Sequence, residues 1–280
     1  MDILHSLIGR LLPFEWAQYA FMKNALIAVL LVTPIFGMLG TMVVNNRMAF
    51  YSEALGHSAL TGIGIGVILG LSNPLISMVA FAVLLAIAIS FVKSSSTAST
   101  DTTIGVFSAI AVSLGIVILS RGGNFNRYAS FLIGDLLSIT PDEIVLLSIV
   151  FIAVIILWVF IFNKLVLVSV NPSLAHSRGV NVRLYETLFA VIMAVLVTIS
   201  IQWVGLLIIT SLLVLPPAAA RNISGNIRRY TFISVTITML SGLTGLVLSY
   251  YWGTATGATI VLISALLYFI TLVSKPWFNE

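Results

Sequence analysis

The chain has 280 residues, 60% of them hydrophobic and only 8% charged, with a formal net charge of +4. Soluble domains carry about a quarter charged residues, so this composition cannot clothe a water-facing surface and specifies a membrane protein. The absence of cysteine excludes disulfides and thiolate metal ligands, and the basic residues never gather into the stripe that nucleic acid would need.

Residues 1–18 are mixed, with Arg10, Pro13, Glu15 and Trp16. Ile3, Leu4, Leu7, Ile8, Leu11 and Leu12 recur at helical spacing, which predicts a short amphipathic helix lying on the membrane. No basic region, short apolar core and cleavage site open the chain, so no removable signal peptide is expected. Residues 19–280 read as a single transmembrane domain. The apolar runs are ~17–25 residues long, which suits helices and not the ~10-residue alternating strands of a barrel. The fold class is therefore all-α and polytopic, with nine candidate spans at about 20–44, 49–71, 75–93, 103–120, 142–165, 184–203, 205–220, 231–251 and 255–274. The seventh is short and ends in Pro216-Pro217, which leaves a count of eight open.

Charge sets an expected orientation. With the N-terminus outside, the inner ends hold Arg47, Lys93, Lys164, Arg178, Arg183, Arg221, Arg228, Arg229 and Lys275, against Arg10, Lys23, Arg121 and Arg127 outside. The positive-inside rule then places the C-terminus inside, in agreement with an odd number of spans.

Three connections carry more than a turn requires. Lys93 to Asp101 is small and polar, a solvated inner linker. Arg121 to Thr140 is long for an outer loop and contains Phe131-Leu-Ile-Gly-Asp-Leu-Leu137, a candidate short helix over the outer mouth. Asn171-Pro-Ser-Leu-Ala-His-Ser-Arg-Gly179 has both helix ends written in it: Asn171 to cap, Pro172 for the first position, Gly179 for the stop. A capped helix of two turns between two spans reads as a docking element or as an interhelical turn.

Most of the nine acidic residues lie in loops or at span ends; Glu53 is the one expected well inside an apolar helix. His57 stands four residues on, so both side chains leave one helix face about one turn, ~6 Å, apart. Ionisable groups inside a bilayer survive where they pair, face a cavity or bind an ion. One carboxylate and one imidazole make half of a four-coordinate zinc site, and two protomers meeting along this helix would complete a tetrahedral set. Gly62, Gly66 and Gly70 on the same helix allow close helix approach, within the protomer or across a dimer. None of the four lysines follows a glycine, so no phosphate-binding loop is present for ATP hydrolysis, and no nucleophilic triad is suggested. The chain reads as a transporter component and not as an enzyme.

Met48-Ala-Phe-x-x-Glu-Ala-x-x-His57 resembles the M-A-F-x-x-D-A-x-x-H signature of bacterial ABC-transporter permeases for zinc and manganese. Asp101-x-x-Ile-Gly105, Leu132-Ile-Gly-Asp135, Val204-Gly-Leu-Leu-Ile-Ile and Leu215-Pro-Pro-Ala-Ala-Ala-Arg221 are similar to further stretches of that family, in its order. The resemblance implies a metal-chelate-type ABC importer permease in the bacterial inner membrane. It implies a homodimer with two cytosolic ATPase subunits on which ATP acts, and an extracytoplasmic protein that delivers the metal. Zn2+, or Mn2+, is then cargo, and no cofactor is bound permanently. Glu53 and His57 fall on the positions that line the family's metal path, with glutamate replacing its aspartate. Asp135 is read as a gate or loop-structuring residue. The cytosolic coupling helix falls near 172–179, with Pro172, Leu174, Ala175 and Gly179. The alternative, a self-sufficient secondary transporter or channel, would show inverted repeats, and no second Glu-x-x-x-His segment exists.

Overall fold

The computed structural model describes residues 5, 6, 9, 14–71, 73–95, 98–121, 134 and 136–278. Each expected apolar run is helical: α1 Ala20–Asn45, α2 Tyr51–Ile68, α3 Leu75–Ser95, α4 Thr100–Arg121, α5 Pro141–Val170, α7 Val182–Val204, α8 Leu206–Asn222, α9 Ile227–Trp252 and α10 Thr256–Phe278. The short α6, Pro172–Ser177, stands between α5 and α7. Single 3-10 turns occur at Glu15–Gln18 and Leu136–Ser138, and there is no strand among the described residues. Most of the amphipathic segment expected over 1–18 and most of the 121–140 connection lie outside the described residues.

Seven of these helices (α1, α3, α4, α5, α7, α9 and α10) are long and apolar enough to cross a membrane. The other two fall short for different reasons. In α2, Glu53, His57 and a run of glycines dilute the apolar residues. The 17-residue α8 is too short, and it continues through Pro216 and Pro217 instead of stopping at them.

Local chemistry fixes where helices begin and end. Thr140-Pro-Asp-Glu143 is a capping box: the Glu143 carboxylate accepts from the Thr140 N–H at 2.8 Å, with Pro141 in the first helical position of α5. Asn226 caps α9 by accepting from Arg229 N–H at 2.8 Å. The α1 helix ends in a Schellman arrangement, with Met48 N–H on the Val43 carbonyl and Arg47 N–H on that of Val44. Its left-handed position, φ 55°, is held by Arg47, where glycine is the usual occupant.

Residues 1–41, 134–153 and 203–280 form one compact unit. Its centre is α8, α9 and α10, each packed on the other two. α9 and α10 run antiparallel, with the Ser249 and Thr256 hydroxyls 3.0 Å apart. α1 joins through its backbone, with Ser234 of α9 donating to the Gly37 carbonyl at 2.7 Å. Pro217 has no N–H to offer the Leu213 carbonyl one turn back. That carbonyl and the Pro217 ring occupy the place where a Gly40 Cβ would stand, each 2.6 Å from it.

Residues 42–133 and 154–202 form the second unit, with α2 at its centre and α3 and α4 packed on it. A Cβ on Gly62 would lie 2.5 Å from the Met78 Cα of α3. On the other side Gly115 of α4 meets the Thr61 backbone, and the Thr61 hydroxyl donates to the Ala111 carbonyl. Tyr51, wholly buried, donates to the Ala190 carbonyl of α7 at 3.4 Å. Large aliphatic side chains such as Ile76, Leu84, Val117 and Val159 are left exposed, as a lipid-facing surface requires.

The backbone contact at Gly62 sets a stability test. Gly62→Val must push α3 away and is expected to cost about 1–3 kcal/mol, lowering the apparent melting temperature in detergent by several degrees. Gly105→Ala, where an added Cβ meets nothing within 4 Å, is expected to leave it unchanged or slightly raised.

Candidate metal site on a buried helix

α2 begins at Tyr51, so Glu53 occupies the first turn of the helix and not its middle. That position suits a carboxylate, because the unpaired N–H groups at a helix start carry partial positive charge. His57 follows one turn later. Glu53 Oε1 and His57 Nε2 lie 3.6 Å apart. Two donors of one tetrahedral ion, each about 2.1 Å from it, stand about 3.4 Å apart. The pair is therefore spaced as two corners of a single coordination sphere.

Burial singles out the same pair. Tyr51, Ser52, Ala54, Leu55, Gly56, Ser58, Ala59, Leu60, Thr61, Gly62, Ile63, Gly64 and Gly66 are all buried. The Glu53 side chain keeps 49% of its surface and that of His57 25%. The uncovered stripe of α2 thus carries the carboxylate and the imidazole, and runs on to the exposed Ile68 three turns later. The ionisable pair thus lies on the one face of α2 that its packed neighbours leave uncovered. The Nδ1 atom of His57 is buried without a protein partner, so Nε2 is the nitrogen turned toward the carboxylate.

No group of three or more metal-binding side chains occurs among the described residues. Glu53 and His57 together offer two donor atoms, fewer than the four of a tetrahedral metal site. His5 hydrogen-bonds Asn24 at 2.9 Å and His176 lies on α6, so neither joins the pair. Asp135 lies outside the described residues.

The segment that its caps mark as a docking element or an interhelical turn is a helix, though shorter than its flanking signals. Asn171 accepts from the Leu174 N–H at 3.0 Å, and Pro172 is in the first position. Gly179 takes φ +73°, and the Val180 and Gly179 N–H groups close the Schellman motif on Ala175 and His176. Ala175 is fully buried and Leu174 is exposed, so the element is anchored on one side and open on the other. Two features escaped the sequence. The Lys93 and Glu186 side chains pair at 3.2 Å, although both read as ordinary span-end charges. Gly134 and Gly205, one from each of two stretches quoted above, lie backbone to backbone, with Gly205 at φ +82°.

The ABC 3 transport family matches residues 18–275. The chain is 32% identical over 259 residues to the high-affinity zinc uptake system membrane protein ZnuB of Haemophilus influenzae, covering 92% of this chain and 99% of that one. It is 28% identical over 259 residues to the manganese import system permease protein ScaB of Streptococcus parasanguinis, covering 92% of each. Among solved structures it is similar to PsaBC from Streptococcus pneumoniae in complex with a Fab, with a TM-score of 0.79 at 26% identity, over 97% of this chain and 95% of that one.

The cap of α6 can be tested directly. Asn171→Ala removes the bond to the Leu174 N–H and is expected to cost about 1 kcal/mol locally. Amide exchange over 172–177 should then quicken roughly fivefold while the rest of the protein keeps its protection.

Proposed function

This chain belongs to the ABC 3 transport family, and we propose that it is the permease of an importer that carries zinc, and less favourably manganese, across the bacterial inner membrane. The observation that carries this reading is the 3.6 Å Glu53–His57 pair on the exposed stripe of an otherwise buried helix. Imidazole favours zinc, whereas manganese prefers harder, oxygen-rich sets. Both metals stay open to one carboxylate and one imidazole per chain, and the relatives divide between zinc uptake and manganese import.

The working unit is a homodimer. Two donors per chain fall short of a tetrahedral sphere, and two copies of α2 facing each other across a two-fold axis supply two carboxylates and two imidazoles. The dication crosses a low-dielectric region there, and the paired carboxylates offset its charge. Energy comes from cytosolic ATPase subunits, since the chain holds no phosphate-binding loop. The open side of α6 is their contact, and an extracytoplasmic binding protein supplies the metal on the opposite face. All nine long helices cross the bilayer, α2 and α8 within the protein interior, with the N-terminus outside and the C-terminus inside.

Two experiments test this. Glu53→Ala should cut uptake of both metals at least about tenfold, because the compensating charge is lost, whereas His57→Ala should cut zinc uptake more than manganese. Expression and ATPase assembly are confirmed first, and zinc uptake at the wild-type rate by both variants would reduce the pair to a structural role. For orientation, the chain has no background cysteine. A membrane-impermeant thiol reagent applied to intact cells should label Thr254→Cys and spare Ser224→Cys; the reverse pattern overturns the topology.

A further inference from the structure

The first turn of α7, which follows α6, is held by three cationic contacts. Lys93 of α3 pairs with Glu186 at 3.2 Å, the Arg183 guanidinium lies 5.0 Å over the Phe91 ring of α3, and Lys164 of α5 lies 5.2 Å over the Tyr185 ring. Four residues separate α6 from α7, and both ends of this link are fixed: the Schellman motif closes one, and Asn181 accepts from Leu184 N–H at 3.1 Å to cap the other. A displacement of α6 therefore has no slack to absorb it and arrives at Arg183 and Glu186.

The other side of the ion pair reaches the metal helix. Lys93 and Glu186 line a small cavity of about 10 Å³ together with Met48, Ser90, Leu165 and Phe189. That volume admits one water molecule at most, so Met48 and the ion pair border the same small space. Met48 stands three residues before the start of α2 and five before Glu53. Directly before it is Arg47, in a left-handed conformation uncommon for a residue with a Cβ. α3, which carries Lys93, also touches α2 backbone to backbone at Gly62 and Met78.

We propose that the Lys93–Glu186 ion pair is the latch through which movement of α6 reaches the Glu53–His57 helix, making Lys93 and Glu186 positioning residues for transport. The inference rests on reading α6 as the ATPase contact. A partly exposed ion pair contributes little to stability. In this proposal the pair ties the first turn of α7 to α3, close to the Arg47 turn that leads into α2. Without it, closure at α6 is spent in bending the first turn of α7, and the metal pair stays where it was.

The test uses the permease assembled with its ATPase partner in proteoliposomes, and reads zinc ions taken up per ATP hydrolysed. Lys93→Gln and Glu186→Gln should each lower this ratio about fivefold while the ATPase rate stays within roughly twofold of wild type. The charge exchange Lys93→Glu with Glu186→Lys should restore most of the ratio, which a merely space-filling role would not do. Wild-type ratios in both single variants overturn the latch, as does an exchange that performs no better than the singles. Loss of assembly in the single variants would make the pair a structural brace and overturn it too. Leu174→Asp reports separately on the docking reading: wild-type coupling in that variant removes α6 as the ATPase contact, whatever the ion pair does.

Discussion

The backbone approach of α2 to its neighbours is the constraint on which the rest of the second unit depends. Lipid tails are as apolar as leucine, so helices inside a bilayer gain nothing by hiding hydrophobic side chains from it; they associate through close packing and hydrogen bonds. α2 answers with small residues: Gly62 admits the Met78 backbone, and Thr61 bonds the Ala111 carbonyl across to α4. The same choice explains why α2 is too polar to pass as a membrane span by composition. A helix enclosed by protein needs no apolar coat.

That enclosure makes an ionisable pair tolerable. With its other sides occupied, α2 can turn only one stripe outward, and Glu53 and His57 lie on it. The carboxylate sits in the first turn, where the helix N–H groups favour negative charge, and its mixed oxygen–nitrogen partnership with His57 is one that a borderline metal accepts. Two donors per chain also limit how firmly an ion is held. A carrier must release its cargo, and in the proposed dimer a site divided between two chains would open when they part.

Much of this was legible in the sequence because hydrophobic runs and caps are local signals. The nine helical stretches were marked by their apolar runs, and α6 was bounded by Asn171, Pro172 and Gly179. The Glu53–His57 proximity follows from helical spacing alone, although the depth of Glu53 in its helix was overestimated, since α2 starts two residues later than its apolar run. The pairs that escaped are all non-local. Lys93 and Glu186 are 93 residues apart and Gly134 meets Gly205 across 71. Nothing in the order of residues gives the rotation and height at which one helix meets another. The left-handed Arg47 was hidden for the opposite reason: it is local, but arginine there breaks the rule by which such turns are recognised.

The length of α5 has a consequence for reach. Thirty residues of α-helix measure about 45 Å, whereas the hydrocarbon core is about 30 Å thick and the whole bilayer with its headgroups about 40–45 Å. That length exceeds the hydrocarbon core by about 15 Å, enough to carry one end of the helix into the headgroup region. Only the capping Asn171 separates α6 from that end, so in the proposed docking role α6 would stand on the water side of the core, where a soluble subunit could grip it without pushing lipids aside.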